Sequence, residues 1–185
     1  MGVSVPHTAL HGHAEEARLV SNFDEIFAGY SRFAWRVLAR LGVQSRDLPD
    51  ACQEVFLVVH RKLPEFEPGR SSLRAWVYGI CVRIASDYRR RHPNRREAPL
   101  DQQPPLAVPA GQDAALQDRR AWSKLARVLG DLDAPKREAF VLYELEALPM
   151  AEVAAVLECP LQTAYARLHA ARRAVLAAFT AGEPR

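Results

Sequence analysis

The sequence predicts an all-α protein made of two small helical domains joined by a flexible, proline-rich linker. Apolar residues recur at helical spacing in several segments, and each segment is bounded by capping residues or by Pro and Gly. No segment of useful length alternates apolar and polar residues as a half-buried strand does. The length of 185 residues suits one ordinary domain or two small ones, and 49% hydrophobic residues are enough for a core.

Residues 1–20 have little periodicity and are expected to form a disordered leader. Three histidines in this segment leave a metal site open as an alternative: His7, His11 and His13. The chain has no apolar run near the roughly 20 residues that a membrane span needs, and its start lacks a signal-peptide pattern. The three cysteines are widely separated without a CxxC pair, which favours free thiols over zinc ligands: Cys52, Cys81 and Cys159. We therefore expect a cytoplasmic protein with no membrane insertion, no metal and no other cofactor.

The first module is expected over residues 21–92, with three helices. The first helix begins at Asn22 as its N-cap, and its apolar stripe stops at Gly42. The second begins at Asp47, with a proline in its first turn where a missing N–H costs little. The third follows a turn and is capped by Ser71 or Ser72. Its stripe places Trp76 in the core and leaves Tyr78 and several arginines outside it.

Residues 93–112 hold five prolines without a helical period, and they form the predicted linker. The second module is expected over residues 113–180 and ends in a stretch from Leu148 to Phe179 typical of a helix-turn-helix. Pro149 and Pro160 are each predicted to open one of its helices. An ordinary αα-hairpin has a similar pattern, so this stretch alone does not decide the function.

Charge alternates along the chain. Ten basic and four acidic side chains lie in residues 61–97, and four basic and one acidic in residues 161–185. Residues 98–160 carry six basic and ten acidic side chains. Two separated basic blocks, rich in Arg, indicate two contacts with a polyanion such as DNA. The alternative is that the charges only solvate the helices.

Several motifs, in this order and spacing, resemble bacterial RNA polymerase sigma factors of the extracytoplasmic-function (ECF) type, in the sigma-70 family. In the first module they are Asp47, Asp50, Gln53 to Phe56, Trp76, Tyr78, Ile80, Asp87 and Arg89 to Arg91. In the second they are Arg137 to Leu142, Glu152 to Ala154, Thr163, Arg167 to His169 and Arg172. The resemblance implies a sigma-two domain over 21–92, a sigma-four domain over 113–180 and no enzymatic activity. It also implies three partners, which are core RNA polymerase, promoter DNA and an anti-sigma factor.

The resemblance assigns three groups of residues. The second helix is expected to bind polymerase through Asp47, Asp50, Gln53, Glu54 and Phe56, of which Asp50, Gln53 and Glu54 form a polar face off its apolar stripe. The loop and third helix are expected to bind the melted −10 element: Phe66, Arg70, Ser71, Ser72, Arg74, Tyr78, Arg83, Arg89, Arg90 and Arg91. The last helix is expected to read the −35 element: Gln162, Thr163, Tyr165, Ala166 and Arg167 near bases, Arg172 and Arg173 near phosphates.

Four positions depart from the family pattern, and two of them are Tyr165 and Ala166, which stand where basic and small residues are common near the start of the recognition helix. Arg83 stands where an asparagine is usual, and Glu158 stands where the helix-turn-helix turn usually has glycine, so that a non-glycine residue is expected to bear a positive φ or the turn to differ. Parts of the sequence are also compatible with two other functions. A stand-alone helix-turn-helix regulator explains the second module but not the first, and a small DNA recombinase needs a nucleophile that the ordered segments do not offer.

Overall fold

The computed structural model describes residues 23–91 and 112–181, with side chains from residue 120 onward in the second range. Every regular element in these residues is a helix, which confirms the predicted all-α class. The predicted leader, its histidines and nearly all of the predicted linker lie outside the described residues. Within the described part of the chain, no helix is both long and apolar enough to cross a membrane.

The first module consists of three helices that pack against one another. They are α1 (Phe23–Arg40), α2 (Leu48–Lys62) and α3 (Leu73–Arg91), and a 3-10 turn at Leu63–Glu65 follows α2. Gly42 ends the first helical stripe with φ 93°, and the N–H of Val43 then returns to the carbonyl of Leu38 at 3.0 Å. This left-handed closing residue followed by a returning N–H is the reason that a glycine is needed there.

The second module consists of α4 (Gln112–Asp131), α5 (Ala134–Phe140), α6 (Met150–Val156) and α7 (Leu161–Thr180). A π-helical turn, Val141–Leu145, continues α5. Asp133 caps α5, because its carboxylate accepts the N–H of Lys136 at 3.0 Å. Pro149 and Pro160 are N-caps with extended backbone, so α6 and α7 each begin one residue later than the sequence suggested.

Helices α6 and α7 form the predicted helix-turn-helix. Ala164, Leu168 and Ala171 on α7 are buried, whereas Leu161 at the start of the helix is exposed. The turn passes through Glu158 with φ 49°, so a non-glycine residue does carry the left-handed conformation. The two modules also pack on each other, with α3 against α6, and their buried side chains form one continuous apolar core.

Candidate nucleic-acid interface

Glu146 lies at the centre of the contact between the modules, and its side chain is 1% exposed. Arg40 donates to its Oε1, and the hydroxyl of Tyr78 donates to its Oε2 at 2.5 Å. The guanidinium of Arg36 donates to both oxygens, at 3.4 and 3.3 Å. Arg74 donates to the backbone carbonyl of Glu146 at 2.7 Å. A buried carboxylate is costly unless it is paired and hydrogen-bonded, and here the first module supplies every one of these donors.

Aromatic rings surround the arginines of this cluster. The guanidinium carbons of Arg36 and Arg74 each lie 5.7 Å from the ring centre of Phe33. The ring of Tyr78 meets that of Phe33 edge-on at 4.5 Å. Arg40 lies over the ring of Trp122, from the second module, at 5.2 Å. These contacts place the cations over ring faces, which attract positive charge.

Burial changes the acid–base behaviour of two of these groups. It raises the pKa of Tyr78 far above the usual range, and the adjacent Glu146 carboxylate raises it further, so the hydroxyl remains a proton donor. Burial lowers the pKa of Arg40, and Glu146 opposes that change. The Nε of Arg40 is buried without an acceptor among the described residues. The cluster is therefore tightly dependent on the Glu146 carboxylate.

Three more pairs join the modules along α3. Ser72 caps α3 by accepting the N–H of Ala75 at 3.1 Å, and its hydroxyl donates to Glu152 at 2.9 Å. Arg89 donates to Glu138 at 2.6 Å. Arg83 pairs with Glu158, so two of the positions that depart from the family pattern bind each other across the contact. In every case the acid belongs to the second module.

The remaining residues of the predicted −10 group lie apart from the second module. Phe66 is buried against Trp76, with ring centres 5.0 Å apart. Arg70 is exposed in the loop and Ser71 is half-buried. Two exposed arginines are held within α3: Arg90 pairs with Asp87, and Arg91 lies over the ring of Tyr88 at 5.7 Å.

Most residues of the predicted −35 face of α7 are exposed. Gln162, Tyr165, Ala166 and Arg173 are exposed, and Thr163 and Arg167 are half-buried. Arg172 pairs with Glu144 and lies 5.4 Å from the ring centre of Tyr143. The face therefore presents amide, hydroxyl and guanidinium groups to solvent at the start of a helix, as major-groove reading requires.

Comparison with known proteins identifies a family for each of the two modules. The sigma-70 region 2 family matches residues 26–95, and the sigma-70 region 4 family matches residues 123–175. The probable RNA polymerase sigma-C factor of Mycobacterium bovis is 33% identical over 147 residues, which are 77% of this chain and 75% of that protein. The ECF RNA polymerase sigma-E factor of Escherichia coli is 30% identical over 142 residues, which are 72% and 74% of the two chains. This chain belongs to the ECF RNA polymerase sigma factors.

Other relatives differ more in length or sequence. The ECF sigma factor SigE of Mycolicibacterium smegmatis is 28% identical over 90% of this sigma factor, and the match spans 65% of SigE. Among solved structures, CnrH in complex with the cytosolic domain of CnrY has a TM-score of 0.67 at 24% identity, covering 93% of this chain and 99% of that one. RpoE of Bartonella quintana, solved with the anti-sigma factor NepR, has a TM-score of 0.69 at 19% identity, covering 87% and 98%. These two structures share the fold of this sigma factor.

The predicted polymerase-binding residues of the sigma factor lie on α2 and at its N-cap, Asp47. Partial burial raises the pKa of Tyr88 on α3, and the carboxylates of Glu54, Asp50 and Asp47 are close enough to raise it further. Asp50 and Gln53 are exposed, and Asp47 and Glu54 are half-buried. Phe56, which was also assigned to polymerase binding, is 3% exposed and packs against Phe27 with ring centres 4.8 Å apart. Its place on the apolar stripe of α2 turns Phe56 toward the core, and its role in polymerase binding stays a prediction.

Sequence reasoning also misplaced two aromatic side chains on α3. Tyr78 was expected outside the core and is completely buried, whereas Trp76 was expected in the core and is half-buried. The reason is that Tyr78 finds its hydrogen-bond acceptor, Glu146, in the other module. Arg36 and Arg40 were missed as well. Two features of the sequence could have identified these arginines. They are four positions apart on α1, and Arg40 lies between the buried Leu38 and Leu41.

Proposed function

We propose that this sigma factor directs core RNA polymerase to promoters through three surfaces. The polar face of α2 binds the polymerase, the loop and α3 hold the melted −10 strand, and the start of α7 reads the −35 element. The observation that carries the proposal is that one chain presents an acidic helix face in its first module and an exposed recognition helix in its second. Neither a stand-alone regulator nor a recombinase needs the first of these.

The compartment and the mode of action of the protein are also part of the proposed function. We propose a cytoplasmic protein without catalytic activity of its own, which acts through binding to polymerase and DNA. CnrH was solved in complex with the cytosolic domain of CnrY, and RpoE of Bartonella quintana was solved in complex with the anti-sigma factor NepR. By analogy we propose that an anti-sigma factor also binds this chain.

Run-off transcription with core RNA polymerase on a promoter library tests the function directly. We expect transcripts that depend on the sigma factor and share −35 and −10 sequences. DNA binding without polymerase-dependent transcription would support a stand-alone regulator instead.

Charge reversal on α2 tests the polymerase-binding face. The double variant Asp50→Lys with Glu54→Lys should lose co-elution with core polymerase, because carboxylates on a rigid helix are suited to binding cationic side chains of a partner. The matched control is Glu65→Lys with Glu67→Lys, which makes the same charge change at exposed positions after α2. Equal co-elution of both double variants at unchanged helicity would overturn the assignment.

A further inference from the structure

Helix α7 exposes apolar side chains on the face that is proposed to read the −35 element. Leu161 and Tyr165 are 44% and 40% exposed, and Ala166 beside them is exposed as well. His169 is exposed one turn further along, and residues four positions apart lie on the same face of a helix. These four residues form one continuous surface near the start of α7, which we call the α7 ridge. Apolar side chains that cluster on a surface in this way mark a binding site.

The rings of Tyr165 and His169 stack on each other within the α7 ridge. Their centres are 6.5 Å apart and their planes are 25° from parallel, as in an offset-stacked pair. A neighbouring ring restricts the rotamers of a tyrosine that would otherwise move freely in solvent, so less conformational entropy is lost when the tyrosine binds a partner. The pair therefore presents Tyr165 as a preorganised apolar surface, and His169 is its positioning residue.

The charges of α7 favour a nucleic acid over a protein as the partner of the ridge. The helix contains three arginines and no acidic residue. An open groove along it joins Ala166 and His169 to the exposed Arg173, with Arg172 and Leu176 on its walls. The N-cap residue, Pro160, offers no side-chain acceptor, so the first N–H groups of the helix add positive charge at its start. An apolar surface with cationic groups at both ends suits a duplex, whose phosphates border the groove that exposes the base edges.

The length and the chemistry of the ridge match the edges of a few base pairs. Leu161 and His169 are eight residues apart, which is about 12 Å at 1.5 Å per helical residue. Base pairs follow one another at about 3.4 Å, so the ridge spans three or four of them. In the major groove, the C5-methyl of thymine is the apolar group that the base edges present. A methyl group packed against the ridge leaves water at no cost, whereas a polar edge would lose hydrogen bonds to water without replacing them.

We infer that the α7 ridge makes this sigma factor select thymine in its −35 element, because Tyr165 and Ala166 pack against C5-methyl groups while His169 holds the tyrosine ring in place. The inference rests on the proposed role of α7 in reading the −35 element. It is independent of Arg167, whose guanidinium is suited to guanine. The two contacts together predict an element in which methyl-dependent thymines lie within a few base pairs of a guanine.

Replacement of single thymines by deoxyuridine tests the inference, because it removes the C5-methyl and keeps the base pairing. Core polymerase is combined with the full-length chain, and a promoter that this holoenzyme transcribes is selected from a library randomised over the −35 and −10 elements. Each thymine of the selected −35 element, on either strand, is then replaced in turn, and the affinity of the holoenzyme for the labelled duplex is measured. At one or more positions the affinity should fall about threefold to fourfold, which is the factor for one buried methylene-sized group.

Variants of the ridge connect the methyl dependence to particular side chains. Tyr165→Ala should bind the thymine and uracil duplexes equally well, whereas Tyr165→Phe should keep the difference because it keeps the ring. His169→Ala should reduce the difference, and His169→Phe should restore it, since a second flat ring again supports the tyrosine. Leu176→Ala is the matched control, because it truncates an exposed apolar side chain of the same helix beyond the ridge, and it should keep the full difference.

Two results would overturn the inference. A wild-type holoenzyme whose affinity is the same after every uracil replacement does not read thymine methyls. A Tyr165→Ala holoenzyme that keeps the wild-type uracil effect reads them with other residues, and loss of co-elution with core polymerase in this variant would then assign the ridge to a protein partner. Failure of the proposed function has a different signature, which is the absence of any transcript that depends on the sigma factor from the promoter library.

Discussion

Ala147 and Glu158 adopt left-handed backbone conformations, with φ 56° and 49°. An L-residue pays roughly 1–2 kcal/mol for this conformation, because its Cβ approaches the following carbonyl oxygen. Glycine removes that strain, but it also makes the unfolded chain more flexible, which costs about 0.4–1 kcal/mol. The strain is the larger effect, so Ala147→Gly should raise the free energy of unfolding by about 0.5–1 kcal/mol.

The same substitution at Glu158 has a smaller expected benefit. Glu158→Gly also removes the exposed pair with Arg83, which is worth about 0–1 kcal/mol, so the net change should be close to zero. A matched control is Ala166→Gly, at an exposed position inside α7, which should lower stability by about 1 kcal/mol. Urea unfolding followed by circular dichroism measures all three variants. A neutral or destabilised Ala147→Gly chain would show that the left-handed turn carries no strain.

Three further predictions follow from packing, recognition and burial. Leu168→Ala on α7, where the side chain is 1% exposed, should lower the free energy of unfolding by about 3–5 kcal/mol in urea unfolding, and a loss below about 1 kcal/mol would contradict the packing. In a selection from a library of −35 sequences, Arg167→Ala should remove the base preference at one position. Arg173→Ala should keep the base preference and reduce the slope of log affinity against log salt concentration by about one unit. The same base preference and the same salt dependence in both variants would reject these roles. Burial raises the pKa of the Cys81 thiol, so a thiol reagent at pH 8 should label it on unfolding and not in the native protein, as peptide mass spectrometry can check.

The sequence predicted the helices well, because each has an apolar stripe and clear end signals. Gly42 closes the first helix and Ser72 caps the third, both at the predicted places. These signals are local, since they depend on residues a few positions apart. The family was predicted correctly for the same reason, because its motifs are short runs with fixed spacing.

The candidate site was predicted less completely, because its decisive contacts are not local. Tyr78 and Glu146 are 68 positions apart, and Arg40 and Glu146 are 106 apart. A stripe on one helix shows which side chains face a core, but it contains no information on which polar group of another module will meet them. The arginines of α1 and the four interface glutamates were therefore missed. The roles assigned to the polymerase, −10 and −35 surfaces stay predictions.

The π-helical turn at Val141–Leu145 has a genetic consequence. It contains one residue more than an α-helical turn, and the N–H of Glu146 accordingly bonds to the carbonyl of Val141 five positions back, at 3.0 Å. In-frame loss of a single codon within it would restore ordinary winding, because the N–H of Glu146 would then reach the same carbonyl from four positions away instead of five. A chain shortened by one residue at this turn should therefore keep the direction of the helix end that carries Glu146, whereas loss of one residue from the regular part of α5 would turn it by about 100°.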